Sequence, residues 1–243
     1  IIGKTIMGKG AVTADGSSYE RKCATHGMPL GEAGASFEKS IENLGGNPEN
    51  PFVIFDDVQA LYEKRKAELV KAAAAKKAEQ AKWEAANPEL AAKLNKFFSE
   101  EAPEFDFKAV EQKANSATRA ASSTVLAAFA GKVENMIVSS ADLSNSDKTD
   151  GFLKKTKAFT KGDFSGSFLQ AGVSELTMAC IANGLALHGG VIPVCGTFFV
   201  FSDYMKPAVR LAALMELPVK YVWTHDAFRV GEDGPTHQPV EQE

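Results

Sequence analysis

Short apolar segments alternate with helix-forming segments through the second half of the chain. Apolar positions three or four residues apart favour helices, whereas short runs rich in β-branched residues favour strands. The pattern predicts helices over 117–130, 174–187 and 201–215 and strands over 136–140, 191–195 and 220–223. Helices alternating with short apolar strands are typical of a parallel sheet covered on both faces. The sequence therefore predicts an α/β fold, a parallel sheet flanked by helices, with right-handed crossovers.

A long helical connector precedes this region. Residues 56–100 are dominated by Ala, Lys and Glu and contain no glycine, so intrinsic helix propensity is high throughout. Asn87–Pro88 divides the run into two helices, and the first would reach roughly 40 Å at 1.5 Å per residue. Its apolar positions, Leu61, Leu69 and Trp83, are sparse and form no heptad seam. A connector lying on a surface is therefore favoured over a self-associating coiled coil.

The first fifty residues differ again in composition. Residues 1–7 predict an apolar strand, a Gly-rich polar loop containing His26 follows, and a short helix is predicted over 35–44. The chain opens within what reads as a strand, lacks the layout of a signal peptide and stops after a polar loop, which we interpret as part of a longer protein. The three compositions divide the chain into residues 1–50, 51–114 and 115–243.

Charge and cysteine content narrow the class of protein. The 243 residues are 44% hydrophobic and 24% charged, as in ordinary globular proteins. A net charge of −4 gives no reason to expect nucleic acid or an anionic membrane as a partner, and no apolar run approaches the ~20 residues that span a bilayer. Cys23, Cys180 and Cys195 lack metal-binding spacing, which favours reduced thiols in a cytoplasmic protein.

The most informative polar segment, THDAFRVGEDGPTHQPVEQ over 224–242, directly follows the last predicted strand. Alone it is typical of a surface loop, although α/β folds place binding groups at such strand ends. The segment closely resembles a transketolase loop in which Thr-His-Asp is followed by Gly-Glu-Asp-Gly-Pro-Thr-His-Gln-Pro. The resemblance implies that His225 contacts the substrate phosphate, that Asp233 bonds a sugar hydroxyl and that His237 lies near the reacting carbonyl carbon. Arg229 departs from the family pattern and is interpreted either as a further phosphate contact or as a solvent-facing charge.

Small polar residues, SSADLSNS over 139–146, follow another predicted strand. Such residues also make ordinary turns, but the segment resembles the Ser-Ala-Asp-Leu element of transketolases. The resemblance implies that Asp142 and Leu143 border the cofactor and that Ser146 lies near the substrate phosphate. Asp147 stands where the family often has asparagine, which adds an acid next to the expected phosphate site.

Glu175 lies in the first turn of a predicted apolar helix, where a glutamate is also favoured by the helix dipole. The helix resembles the cofactor-activating helix of thiamine diphosphate enzymes. The resemblance implies that Glu175 keeps its proton and hydrogen-bonds a ring nitrogen of the aminopyrimidine. Burial among Val173, Leu176 and Met178 favours the neutral carboxyl, and we expect burial to outweigh the helix dipole where a partner subunit closes the site.

Three further elements carry candidate residues. Phe198, Phe201 and Tyr204 recur every three residues and so share a helical face, which is usual for a core but also resembles the Thr-Phe-x-x-Phe-x-x-Tyr wall around the transketolase pyrimidine. There Phe201 matches the stacking phenylalanine. Arg119, at a helix start, reads as a surface charge or as the family's phosphate-binding arginine. His26, in ATHGMPLGE, resembles the histidine that exchanges protons near the thiazolium.

The resemblance covers nearly the whole chain and implies the thiamin diphosphate-binding fold. Residues 1–50 match the end of the diphosphate-binding domain, 51–114 the connector and 115–243 the pyrimidine-binding domain. It implies transfer of a two-carbon ketol unit between sugar phosphates in the pentose phosphate pathway. The implied cofactors are thiamine diphosphate and Mg²⁺ or Ca²⁺, with metal ligands outside this chain because no Gly-Asp-Gly motif is present. The implied partner is a second copy in a homodimer with sites between subunits.

Two other interpretations stay open at the level of sequence. One is another thiamine diphosphate enzyme, such as dihydroxyacetone synthase, which shares most of these motifs. A non-catalytic dimerisation half of a split enzyme would carry the fold without the missing metal motif. In either the transketolase or the split-enzyme case, the 243 residues alone are expected to show no measurable turnover.

Overall fold

The computed structural model describes residues 2–99, 101–226 and 233–242. The chain forms two compact units, Ile1–Trp83 and Glu84–Glu243. Among the described helices, none has the length and apolar character that crossing a membrane requires.

The first unit consists of loops followed by helices. Its elements are a 3₁₀ turn at Cys23–Thr25, helix α1 at Phe37–Asn43 and the start of helix α2 at Asp56–Ala86. The Ser36 side chain caps α1 by accepting from the Lys39 amide at 3.3 Å. Both predicted helices are confirmed, and the 31 residues of α2 span about 46 Å. The strand predicted over 1–7 is wrong, because residues 2–6 carry no regular structure and Met7–Gly10 forms a turn. Their backbone has no strand alongside among the described residues of this unit, where Val12 and Ser18 form an isolated bridge.

The second unit is the α/β region. Its helices after α2 are α3 (Pro88–Phe98), α4 (Thr118–Ala130), α5 (Asp150–Leu153), α6 (Glu175–His188) and α7 (Ser202–Leu214). Its strands are β1 (Met136–Ser140), β2 (Phe168–Gln170), β3 (Ile192–Phe198) and β4 (Lys220–Thr224). The strands form one sheet of order β2-β1-β3-β4, and every pairing is parallel. The predicted parallel sheet is therefore confirmed, with β2 as a strand that the sequence pattern missed.

Helices cover both faces of this sheet. One buried cluster contains Leu126 of α4 and Phe152 of α5 together with Val194 of β3. The other contains Met178 of α6 with Cys195, the next residue of β3. Because neighbouring side chains of a strand point to opposite faces, the two clusters lie on opposite sides of the sheet. Burial raises the pKa of the Cys195 thiol to about 12, so this cysteine behaves as a small apolar core residue.

Candidate active site

Polar and aromatic residues follow the carboxyl end of each strand. In order along the sheet, Glu175 begins α6 after β2, Ser146 follows β1, Phe198 ends β3 and His225 follows β4. Parallel strands end at the same edge of their sheet, so these four positions share that edge. Helix α4 leads into β1 and runs back across the sheet, which brings Arg119, in its first turn, to the same edge.

An arginine–histidine pair lies at the centre of this edge. Arg119 Nη1 is 2.7 Å from His225 Nε2 and donates to the carbonyl oxygen of Ser146 at 3.5 Å. A guanidinium only donates, so His225 Nε2 accepts and its ring proton sits on Nδ1. Nδ1 lies 2.9 Å from Thr224 Oγ1, which gives that proton an acceptor. Asp233 Oδ2 is 3.9 Å from His225 Nε2, so one acid and one guanidinium face the same ring nitrogen.

The surroundings keep His225 neutral. The residue is 8% exposed, and burial lowers its pKa below the ordinary value of 6.5, with the Arg119 charge adding to the shift. The carboxylates of Asp233, Asp147 and Asp226 act in the opposite direction with smaller effect. His225 also has a positive φ of 56°, a conformation that non-glycine residues seldom adopt. The strained backbone and the paired ring indicate a position built to hold this imidazole in one orientation.

We expect the stability of the native chain to fall as pH drops below about 6.5. His225 binds its proton more weakly in the folded chain than in the unfolded chain, so below 6.5 the unfolded state takes up more protons and gains stability. Urea unfolding, followed by tryptophan fluorescence between pH 7.5 and 5.5, measures this dependence. His225→Gln should flatten it, and the exposed His188→Gln should not. Equal slopes for native protein and His225→Gln would contradict a neutral, buried His225.

Aromatic rings extend the site away from the arginine–histidine pair. The Phe198 ring stacks on the His225 ring, with centroids 3.6 Å apart, and on the Phe201 ring at 5.7 Å and an interplanar angle of 9°. Phe201 stacks in turn against Tyr204 at 6.0 Å. The His237 ring meets Phe201 edge-on at 5.6 Å. Phe198 is buried whereas Tyr204 is 64% exposed, so the series runs from the core to the surface as a flat apolar wall. Such a wall is suited to stacking on a heteroaromatic ring.

The turn after β1 supplies backbone groups more than side chains. Asp142 is exposed and adopts a φ of 66°, and the Leu143 amide donates to Ser140 Oγ at 3.2 Å. The Ser146 carbonyl meets Arg119, whereas the Ser146 hydroxyl donates to Asn145 Oδ1 at 3.5 Å. Asp147 is 1% exposed, and its carboxylate hydrogen-bonds to Ser140 inside the protein. The acid therefore does not face the Arg119 guanidinium directly.

Family models match both parts of the chain. Residues 1–103 match the thiamine diphosphate binding domain of transketolase, and residues 114–243, more than half of the chain, match the transketolase pyrimidine binding domain. The chain belongs to the transketolase family. It is 42% identical to a transketolase of Halalkalibacterium halodurans over 98% of its own length, which is 35% of that relative. The chain thus spans about a third of the length of the curated transketolases that it matches.

Solved transketolase structures have the same fold. The structure from Leishmania mexicana covers 98% of this chain with a TM-score of 0.79 at 34% identity, and this chain covers 34% of it. A transketolase from Pichia stipitis, in complex with sedoheptulose 7-phosphate, covers 84% of this chain with a TM-score of 0.73 at 36% identity, and this chain covers 32% of it. Transketolases therefore share the parallel sheet and helices described above.

Glu175, the expected cofactor-activating residue of this transketolase chain, is 7% exposed at the first position of α6. The apolar surroundings expected for it are wrong in part, because Val173 is 81% and Leu176 44% exposed and only Met178 is buried. Val173 precedes the helix, and Leu176 lies off the face on which Met178 and Ala179 pack against the sheet. Glu175 is therefore buried in this chain although two of the three residues expected around it are exposed.

The remaining predicted residues, His26 and Arg229, do not belong to the described part of the second unit. His26 is exposed and follows the 3₁₀ turn of the first unit, its amide donating to the Cys23 carbonyl at 3.0 Å. Arg229 lies outside the residues that the structure describes. Within 2–99, 101–226 and 233–242, no group of three or more His, Cys, Asp or Glu side chains could hold a metal ion. The stacked rings of Phe198, Phe201 and Tyr204 have the shape and chemistry to hold an aminopyrimidine ring.

Proposed function

We propose that this chain supplies the pyrimidine and substrate-phosphate side of a transketolase active site. The whole protein would move a two-carbon ketol unit from a ketose phosphate to an aldose phosphate in the cytoplasmic pentose phosphate pathway. The Arg119–His225 pair carries the proposal, because it joins a phosphate-binding cation to the aromatic wall at one edge of the sheet. A family match alone would not require this pairing between residues 106 positions apart.

The polar part of the site suits a phosphate monoester. A guanidinium can give two parallel hydrogen bonds to phosphate oxygens, and each charge-assisted bond is stronger than a neutral one. Arg119 and the imidazole of His225 are the donors that a phosphate would meet, with His225 exchanging its proton between ring nitrogens as the anion enters. Asp233, 3.9 Å from the imidazole, would then accept from a sugar hydroxyl rather than contact the phosphate.

The aromatic part suits the cofactor. When bound, thiamine diphosphate supplies the carbanion chemistry of ketol transfer. Phe201 would stack on its pyrimidine ring, Phe198 and Tyr204 would form the adjoining wall, and Asp142 and Leu143 would border it. Glu175 would hold a proton on its carboxyl group, toward a pyrimidine nitrogen. His237, edge-on to Phe201, would lie near the reacting carbonyl carbon and exchange a proton with the substrate.

A homodimer completes the proposal. Exposed apolar side chains lie along α6, with Leu176 44%, Ile181 41% and Leu187 58% exposed. Leu176 and Leu187 lie about three turns apart on one side of this helix, and exposed apolar side chains grouped in this way are typical of an interaction surface. A partner subunit on that side of α6 would also cover the 7% of Glu175 that is exposed in this chain. The Mg²⁺ or Ca²⁺ ion, its ligands and the role of His26 belong to the same proposal and rest on the resemblance alone.

A ketol-transfer assay tests the proposal. The whole protein, with thiamine diphosphate and Mg²⁺, should transfer a two-carbon unit from sedoheptulose 7-phosphate to an aldose phosphate, and the 243 residues alone should not. Turnover by the 243-residue chain would contradict the need for the remaining domains. Transfer to formaldehyde but not to an aldose phosphate would instead identify a dihydroxyacetone synthase.

A further inference from the structure

One buried acid, Asp147, accepts hydrogen bonds from both ends of the turn between β1 and α5. Asp147 is 1% exposed and its carboxylate accepts three hydrogen bonds: from Ser140 Oγ at 2.7 Å, from the Thr149 amide at 2.9 Å and from Thr149 Oγ1 at 2.7 Å. All three donors belong to the ends of the same turn. The carboxylate therefore ties the last residue of β1 to the first turn of α5.

These hydrogen bonds stabilise a turn whose backbone conformation is unfavourable at two residues. Asp142 and Lys148, on either side of the segment 143–147, both have a φ of 66°. Non-glycine residues seldom adopt this conformation, and they keep it only where surrounding contacts require it. The Leu143 amide donates to Ser140 Oγ at 3.2 Å, and that hydroxyl in turn donates to Asp147. The bonds of Asp147 thus reach both the cofactor-side residue Leu143 and the start of α5.

Asp147 is also fitted closely against the central strand. Gly196 of β3 pairs with Ser140 of β1, and a Cβ atom added to Gly196 would lie 3.1 Å from Asp147 Oδ2 and 2.6 Å from Thr149 Cγ2. A side chain at position 196 would therefore collide with Asp147 and Thr149, so the glycine leaves the space that the carboxylate and its partner occupy. The charge of Asp147 is also near enough to His225 to act on the pKa of that imidazole.

We propose that Asp147 is a positioning residue for phosphate binding: its buried carboxylate sets the turn 142–146 so that the Ser146 carbonyl orients Arg119. The geometry supports this because the Arg119 guanidinium has two described partners at the site, the Ser146 carbonyl and His225. If the turn relaxes, Arg119 loses one of the two contacts that aim it. The inference rests on the proposed transketolase function for its readout, but the bonds of Asp147 to the turn stand independently of that function.

Asp147→Ala removes the hydrogen bonds of the carboxylate, whereas Asp147→Asn removes its charge and keeps most of those bonds. In the whole protein, Asp147→Ala should raise KM for the ketose phosphate roughly tenfold, the effect of losing one such contact, with kcat changed less than about threefold. Asp147→Asn keeps an acceptor for Thr149 and can donate to Ser140 Oγ, so its KM should stay within about threefold of native. The matched control is Asp150→Asn, because Asp150 is a partly buried acid of the same segment that pairs with the exposed Lys154, and its backbone amide bond to the Ser144 carbonyl is retained.

Amide hydrogen exchange in the 243-residue chain provides a readout that needs no turnover. The Leu143 and Thr149 amides should exchange at least about tenfold faster in Asp147→Ala, and Ser140→Ala should reproduce the change at Leu143 alone. Native exchange at Leu143, or a destabilised Asp147→Ala whose KM is unchanged, overturns the inference. If the native whole protein transfers no ketol unit, the proposed function fails, and the exchange of Leu143 still decides whether Asp147 holds the turn.

Discussion

Replacing Glu175 with glutamine should lower ketol transfer by the whole protein at least about a hundredfold, the lower range for loss of a proton-transferring group. Glutamine has the shape of the neutral carboxyl and can hydrogen-bond a ring nitrogen, but it has no acidic proton to share with it. The side chain is buried at the first position of α6, so water cannot readily replace the lost acid. Initial rates at saturating thiamine diphosphate measure the effect.

The control is Glu134→Gln. Glu134 is an exposed partner of Lys93 and precedes β1, at the opposite edge of the sheet from Glu175. Loss of the helix-dipole interaction at Glu175 should cost only ~0.3–1 kcal/mol of stability, so thermal unfolding should shift little while the rate falls. Transfer by Glu175→Gln within threefold of native would mean that this carboxyl is a helix-capping residue and not the cofactor-activating acid.

Most elements of the second unit could be predicted from local sequence pattern. Strands β1 and β3 are short apolar runs and helices α4 and α6 are longer stretches of helix-forming residues, and the parallel sheet follows from their alternation. Strand β2 has only three residues, Phe168–Gln170, after a Gly- and Ser-rich approach. Its identity as a strand depends on pairing with β1, which no local pattern contains.

The strand predicted over 1–7 is wrong for the converse reason: its sequence favours a strand, but no pairing partner is present among the described residues of the first unit. Its residues have β-favouring side chains, but strand structure requires a partner for the backbone amides and carbonyls, and propensity alone does not supply one. Among the described residues of the first unit, the Val12–Ser18 bridge is isolated from this segment.

Part of the candidate site could be predicted from local sequence spacing, and part depends on contacts between residues distant in sequence. The spacing of Phe198, Phe201 and Tyr204 on one face is visible in the sequence, and the structure stacks them. The contact of Arg119 with His225 joins residues from α4 and the end of β4, so only the sheet order brings them together. The direction of Asp147 was also unpredictable from sequence, because an acid in a polar turn faces solvent as readily as it faces a buried hydroxyl.

Replacing Arg119 with alanine should raise KM for a ketose phosphate by about 10- to 100-fold, the range for losing charge-assisted hydrogen bonds to a bound anion. The effect should depend on the phosphate: a ketose of the same length without phosphate should be affected less than about threefold. Arg119→Lys should recover only part of the loss, because a single ammonium cannot give a phosphate the two parallel hydrogen bonds that a guanidinium can.

Arg210→Ala is the matched control, since Arg210 is an exposed arginine of the same unit on α7. Its KM values for both ketoses should equal those of the native protein. Two kinds of failure are possible for Arg119→Ala. Equal losses with phosphorylated and unphosphorylated ketoses would mean that Arg119 mainly keeps His225 neutral and in place, and that the phosphate is bound by other cations. An unchanged KM for the ketose phosphate would show that the Arg119–His225 pair takes no part in substrate binding, because a substrate that used the guanidinium would bind more weakly without it.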